Sequence, residues 1–126
     1  MKNSSHLVAV VDDDRSILKG LSSLLRSEGY VVDVFAGAEA FLASRASREA
    51  DCLVTDVHMP GMDGLSLQRV VRAARPELPI IVMTAFGDAA TRARALADGA
   101  QEILVKPFSA DQLLSEIGLA VSGAEE

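Results

Sequence analysis

Five short apolar runs, separated by longer stretches with helical periodicity, constrain what this chain can fold into more than any other feature. The runs cover residues 7–11, 31–35, 52–55, 80–83 and 103–105. Between them, Ile17, Leu21, Leu24 and Leu25 share one helix face, as do Leu67, Val70, Val71 and Ala74. Leu113, Ile117 and Val121 form a third face with Leu114 beside it; Phe41 and Leu42 mark another helix, and Ala93, Leu96 and Ala97 a weaker one. Punctuation supports the division. Gly29 and Gly99 follow helices where left-handed caps are common, and Pro76 and Pro79 bracket the approach to the fourth run. Ser109 and Gln112 are spaced for a capping box before the last helix, and residues 122–126 read as a frayed tail.

Strand and helix alternating five times predict an α/β fold with a mostly parallel sheet. Residues 8–11 and 80–83 are continuous apolar runs, as strands covered on both faces should be. The 126 residues suit one domain, with a core over about residues 6–121, and no linker divides them. A 49% hydrophobic content supports a packed core, and a formal charge of −6 disfavours direct contact with nucleic acid. The one cysteine, Cys52, lies within an apolar run and reads as a buried structural thiol. No run approaches the ~20 residues of a membrane span. The start, from Met1 to His6, lacks a signal-peptide core, so the expected location is cytoplasmic.

Ligands of such sheets bind beyond the carboxyl ends of the strands. There the first run is followed by Asp12, Asp13 and Asp14, the third by Asp56, the fourth by Thr84 and the fifth by Lys106. Clustered carboxylates need a cation, and hard oxygen donors suit Mg²⁺. An aspartate can act as nucleophile towards phosphorus, with metal and ammonium balancing the charge that develops. Each residue also has a plainer reading. Asp14 suits a helix N-cap, Asp12 and Asp13 suit solvated loop charges, Thr84 suits a turn and Lys106 an ordinary surface lysine. Their joint occurrence at successive strand ends favours a site.

Four segments carry a resemblance. Val10-Val11-Asp12-Asp13-Asp14, the stretch from Leu53 through Asp56, His58 and Pro60 to Gly64, Met83-Thr84-Ala85, and Lys106-Pro107-Phe108 resemble the response-regulator receiver domain of bacterial two-component signalling. The resemblance covers roughly residues 6 to 121. No one motif is distinctive alone; the four in order are. It implies a flavodoxin-like, doubly wound five-stranded parallel sheet of order 2-1-3-4-5 with helices on both faces. It further implies Asp56 as phosphoacceptor, and a Mg²⁺ site from Asp12, Asp13, Asp56 and the backbone carbonyl of His58. Thr84 would contact the phosphoryl group and Lys106 would pair with it, and the Lys106–Pro107 bond is cis in many members. His58 and Phe86 match positions that flank the route of hydrolytic water. The implied partner is a sensor histidine kinase, with room for an output domain or effector protein and for a phosphorylation-dependent homodimer. The implied signal is a shift of the fourth helix, fifth strand and last helix. Such a module turns over no separate substrate. One position departs from the pattern: three residues before the lysine, where the family usually carries Tyr or Phe, stands Ile103.

Two rivals remain. An Asp-nucleophile phosphohydrolase of the haloacid dehalogenase-like group needs a second Asp two residues after the nucleophile, where this chain has His58. A flavodoxin-like cofactor module needs a phosphate-cradling loop after the first strand, where three aspartates would repel the ligand.

Overall fold

Residues 6–125 are described in the computed structural model, so all of the chain start except His6, and Glu126 of the tail, lie outside the described residues. The elements run β1 (Leu7–Val11), α1 (Arg15–Ser27), β2 (Val31–Phe35), α2 (Ala38–Leu42), α3 (Ala46–Glu49), β3 (Cys52–Asp56), α4 (Gly64–Ala74), β4 (Ile80–Thr84), α5 (Ala89–Ala97), β5 (Glu102–Val105) and α6 (Ala110–Glu125). All five strands pair in parallel in the order β2-β1-β3-β4-β5, the arrangement the resemblance implied.

Because strand side chains alternate, each run feeds two cores. Val8, Val10, Cys52, Val54, Ile81, Met83 and Leu104 pack under α1 and α6 through Leu25, Leu113 and Ile117. Ala9, Val11, Leu53, Ile80, Val82 and Ile103 pack on the opposite face against Phe41, Leu67 and Val71. β3 and β4 are buried along their whole length, which explains their unbroken apolar runs. Burial pushes the Cys52 thiol up to about 12, as suits a structural residue.

The expected caps are present. Gly29 and Gly99 take left-handed φ values of 93° and 88°. Ser109 Oγ accepts from the Gln112 amide and Gln112 Oε1 from the Ser109 amide, both at 3.0 Å, completing the capping box.

Four local expectations need correction. The single helix expected around Phe41 is two short ones, α2 and α3. The Ser44 hydroxyl donates to the Phe41 carbonyl and the Ser47 hydroxyl to the Ser44 carbonyl, bonds that compete with continuous helix. On α4, Val70 and Ala74 lie on the solvent side, and the buried stripe is Leu67, Gln68 and Val71. The expected frayed tail is helical as far as Glu125. Finally, Ala93, Leu96 and Ala97 are exposed; α5 buries only Ala95.

With so little apolar anchorage, α5 is held by polar contacts from α4. Gln68, fully buried, donates from Nε2 to the Ala95 carbonyl at 2.9 Å. That carbonyl also accepts from the Ala100 amide in the turn that ends α5. Arg72 donates to the Gly99 carbonyl at 3.0 Å, and Arg69 pairs with Asp98 at 3.3 Å. Gln68→Ala is therefore expected to destabilise the fold by about 2 kcal/mol, the scale of a lost buried hydrogen bond plus the space left behind. Urea unfolding checks the loss, and amide exchange should accelerate in residues 89–98 before it does in β3.

Candidate functional site

The sheet register brings the polar residues together. Val11 pairs with Thr55, so the next residues, Asp12 and Asp56, emerge side by side at the carboxyl edge. Thr84 pairs with Val105 on the following strands, so Lys106 leaves the sheet beside them. The Asp12 amide bonds the Phe35 carbonyl and the Lys106 amide bonds the Thr84 carbonyl, which carries the strand spacing one residue past the ladder.

Asp12 is fully buried and Asp56 is 5% exposed. The Lys106 Nζ lies between them, 3.0 Å from Asp12 Oδ2 and 3.1 Å from Asp56 Oδ1. Asp12 Oδ1 accepts the Asp14 amide at 2.9 Å. Asp13 is exposed, yet one of its carboxylate oxygens lies within 4.8 Å of those from Asp12 and Asp56. The side chain of Asp14 turns away and caps α1, accepting from the amides of Ser16 and Ile17. This is the N-cap that the position of Asp14 before the first helix suggests.

Burial pushes the Asp56 carboxyl above its ordinary value, and repulsion from Asp12 adds to this, while hydrogen bonding and attraction from Lys106 oppose it. Burial alone would lower the Lys106 pKa, but its bonds to Asp12 and Asp56 overcome that, and the net direction is up. Three carboxylates facing one ammonium leave two negative charges uncompensated. An all-oxygen donor set with that deficit fits a hard divalent cation such as Mg²⁺.

Thr84 is fully buried at the end of β4. Its hydroxyl closes a local turn, accepting the Phe86 amide and donating to the Phe86 carbonyl, both at 3.0 Å. His58 is exposed, and its ring meets that of Phe86 edge-on, with centroids 5.3 Å apart. Phe86 is 62% exposed, so it is no core residue; with His58 it forms an aromatic lip on the loops that follow β3 and β4. The Lys106–Pro107 bond is cis. Ile103 is buried beneath α4 and α5.

Gly64 contributes in a way the sequence did not flag. A Cβ there would overlap the Asp56 carbonyl oxygen and come within 2.9 Å of Val57 Cα. Only glycine lets the start of α4 close against the strand end that presents Asp56. The Gly64 amide completes that approach by donating to the Val57 carbonyl at 2.8 Å.

Comparison with known proteins agrees with this geometry. The family model for the response regulator receiver domain matches residues 8–118. The chain belongs to that family. It is 40% identical over 107 residues, 85% of its length, to the C4-dicarboxylate transport transcriptional regulatory protein DctD of Rhizobium meliloti. It is 38% identical over 125 residues, 99% of its length, to the transcriptional regulatory protein FixJ of Bradyrhizobium diazoefficiens. The match spans 23% of DctD and 60% of FixJ, so this receiver corresponds to only part of each relative. Among solved structures, a CheY-like receiver domain protein from Methanospirillum hungatei superposes with a TM-score of 0.89 at 28% identity, covering 95% of this chain and 96% of that one.

The raised Asp56 pKa gives a stability prediction with a definite sign. A folded pKa above the unfolded value, ~3.9 for Asp, means that this group's contribution to stability is fully present below the unfolded pKa and is lost as pH rises through the folded one. Asp56→Asn removes that titration. In metal-free protein it should raise the calorimetric melting temperature at pH 7, and the advantage should shrink to nothing by about pH 3. A lower melting temperature for Asp56→Asn at pH 7 would show that pairing with Lys106 outweighs burial and repulsion.

Proposed function

We propose that this receiver accepts a phosphoryl group on Asp56 from a sensor histidine kinase, with Mg²⁺ bound at Asp12, Asp13, Asp56 and the His58 carbonyl. The observation that carries the proposal is the charge deficit: two buried carboxylates and a third at their edge share one ammonium. The bound cation would supply charge neutralisation for the incoming phosphoryl oxygens. Asp56 attacks the phosphorus of the donor phosphohistidine; a carboxylate–phosphorus bond forms, the phosphorus–nitrogen bond breaks, and the imidazole nitrogen takes a proton. Lys106 already contacts Asp56 and is placed to follow the charge onto the phosphoryl oxygens. An apolar groove of about 490 Å³, lined by Ile17, Leu21, Lys106 and Phe108 among others, opens beside Lys106 and gives the kinase a surface next to the acceptor. The His58–Phe86 lip shields the acyl phosphate from water.

For Thr84 to reach the phosphoryl group, its hydroxyl must give up its hydrogen bonds with Phe86. That rearrangement is the first step of the signal. The loop over residues 84–88 then shifts and takes α5 with it, since α5 begins directly after it. Ile103 has no ring to rotate, and its branched side chain is stiff and packed, so α5 with β5 and α6 carries the read-out. Ala89, Ala90, Ala93, Leu96 and Ala97 form an exposed apolar stripe on α5, and Val105 on β5 is 44% exposed. These surfaces support apolar self-association after phosphorylation. Residues 109–126 contain no Lys or Arg, so they offer a dimer no cationic side chain for salt bridges.

The output is proposed to reside in a downstream domain or effector protein, in keeping with relatives that are transcriptional regulators of greater length. The net charge of −6 disfavours DNA contact by the receiver itself. Among the described residues no helix is long and apolar enough to cross a membrane, which accords with a cytoplasmic site of action. The phosphohydrolase alternative lacks its general acid at position 58.

Incubation with acetyl phosphate and Mg²⁺ should add one phosphoryl mass to the intact protein. The adduct should vanish in Asp56→Asn and after chelation; equal labelling in either arm refutes the assignment. Asp13→Asn should weaken Mg²⁺ binding in a titration, whereas Asp14→Asn should leave it unchanged because Asp14 caps α1.

Hydrogen exchange with and without beryllofluoride tests the signalling route. Protection should change most in residues 84–98, and changes confined to α1 and α2 would exclude α5 as the moving part.

A further inference from the structure

The loop between β3 and α4 carries the His58 carbonyl, so what fixes this loop also fixes one corner of the metal site. At its ends the Val57 amide continues the ladder to the Met83 carbonyl, and the Gly64 amide closes back onto the Val57 carbonyl. Between those anchors, the one hydrogen bond recorded to the main chain of residues 58–62, among the described residues, comes from a distant element. Glu39, on the first turn of α2, accepts the Met62 amide through Oε2 at 3.2 Å.

The surroundings are shaped for this carboxylate. Gly61 takes φ +75°, and a Cβ built there would come within 3.0 Å of Glu39 Oε2. A Cβ at Gly37 would lie 3.7 Å from Glu39 Oε1, an ordinary contact. The carboxylate thus lies against the turn at Gly61, where a side chain would be strained by the positive φ and would have to push the carboxylate aside. Met59 is buried, and Met62 packs against the same core as Phe41 of α2. The loop is therefore seated by its methionines but oriented at the turn by Glu39.

We propose that Glu39 is a positioning residue for the metal site: by holding the turn at Gly61 and Met62 it aims the His58 carbonyl at the cation. The proposal rests on the proposed reading of Asp12, Asp13, Asp56 and the His58 carbonyl as a Mg²⁺ site. Glu39 is exposed on a short helix, so its removal leaves the core intact and the variants should fold.

The test compares wild type, Glu39→Ala and Glu39→Gln by Mg²⁺ titration of amide NMR shifts, with Met62 amide exchange and melting temperature measured in the metal-free proteins. Glu39→Ala is expected to bind Mg²⁺ about fivefold more weakly, the scale of one hydrogen bond. Its Met62 amide should exchange faster, while its melting temperature stays close to wild type. Glu39→Gln, which keeps an acceptor oxygen, should recover most of the affinity and of the protection. Equal affinity in wild type and Glu39→Ala would overturn the proposal while leaving the metal site in place. A Glu39→Gln loss as large as that of alanine would assign the effect to charge and overturn positioning. Weaker binding with unchanged Met62 exchange would do the same. Wild-type protein that binds no Mg²⁺ would instead refute the metal site on which the proposal stands.

Discussion

The bridge from Lys106 to two buried carboxylates is the interaction on which the rest of the site depends. Asp12 and Asp56 emerge from adjacent parallel strands because the register leaves them no alternative, and burial denies them water. Two carboxylates in that position repel each other, and the ammonium at 3.0 and 3.1 Å makes the pair tolerable. It does so incompletely, and the proposed function turns on that incompleteness. A site fully neutralised by lysines would have no affinity for a cation, and one without Lys106 would have to protonate or open. The remaining deficit fits a divalent cation, and on the proposed reading that cation would leave Asp56 free to act as the nucleophile.

Much of this was legible in the sequence because the fold converts simple patterns into positions. Strands covered by helices on both faces must be apolar throughout, so β3 and β4 announced themselves as unbroken runs. The parallel order then sends every strand's last residue to one edge, and reading the polar residue after each run was enough to collect Asp12, Asp56, Thr84 and Lys106. The capping box at Ser109 and the left-handed turns at Gly29 and Gly99 were legible for a related reason. Each depends on a residue type whose chemistry is local, needing no partner from elsewhere in the chain.

What the sequence hid depends on long-range polar contacts. The periodicity of Ala93, Leu96 and Ala97 is real, but it faces solvent, because α4 offers α5 the polar side chains Gln68, Arg69 and Arg72 in place of an apolar surface. Hydrophobic patterning says which face of a helix is apolar; it does not say which face is buried when the neighbouring helix is polar. Gln68 looks like a surface residue in the sequence and is fully buried in the fold. Glu39 is equally silent, since it acts on a segment brought near only by the tertiary structure, and Gly64, although part of a motif, gives no sign in the sequence of how closely it packs on Asp56.

These two kinds of attachment divide the molecule by how easily each part can move. α1, α4 and α6 are fixed by large side chains interlocked with the sheet, and displacing them would open cavities on both sides of a close-packed layer. α5 rests on one buried alanine and a short set of directional bonds to its last turn. The Arg69 and Arg72 contacts lie at the surface, where water can replace a lost partner at little net cost, whereas the buried Gln68 bond has no such substitute and acts as the fixed point. The end of α5 nearest the site follows the turn closed by the Thr84 hydroxyl, whereas its far end is held by Gln68, Arg69 and Arg72. On the proposed signalling route, a pull at the Thr84 turn would act on one end of a helix pinned at the other, so the motion it would favour is a tilt about the α4 contacts. Such a tilt would carry the exposed apolar stripe on α5 with it, and this is the link the proposed signal needs between the state of Asp56 and that surface.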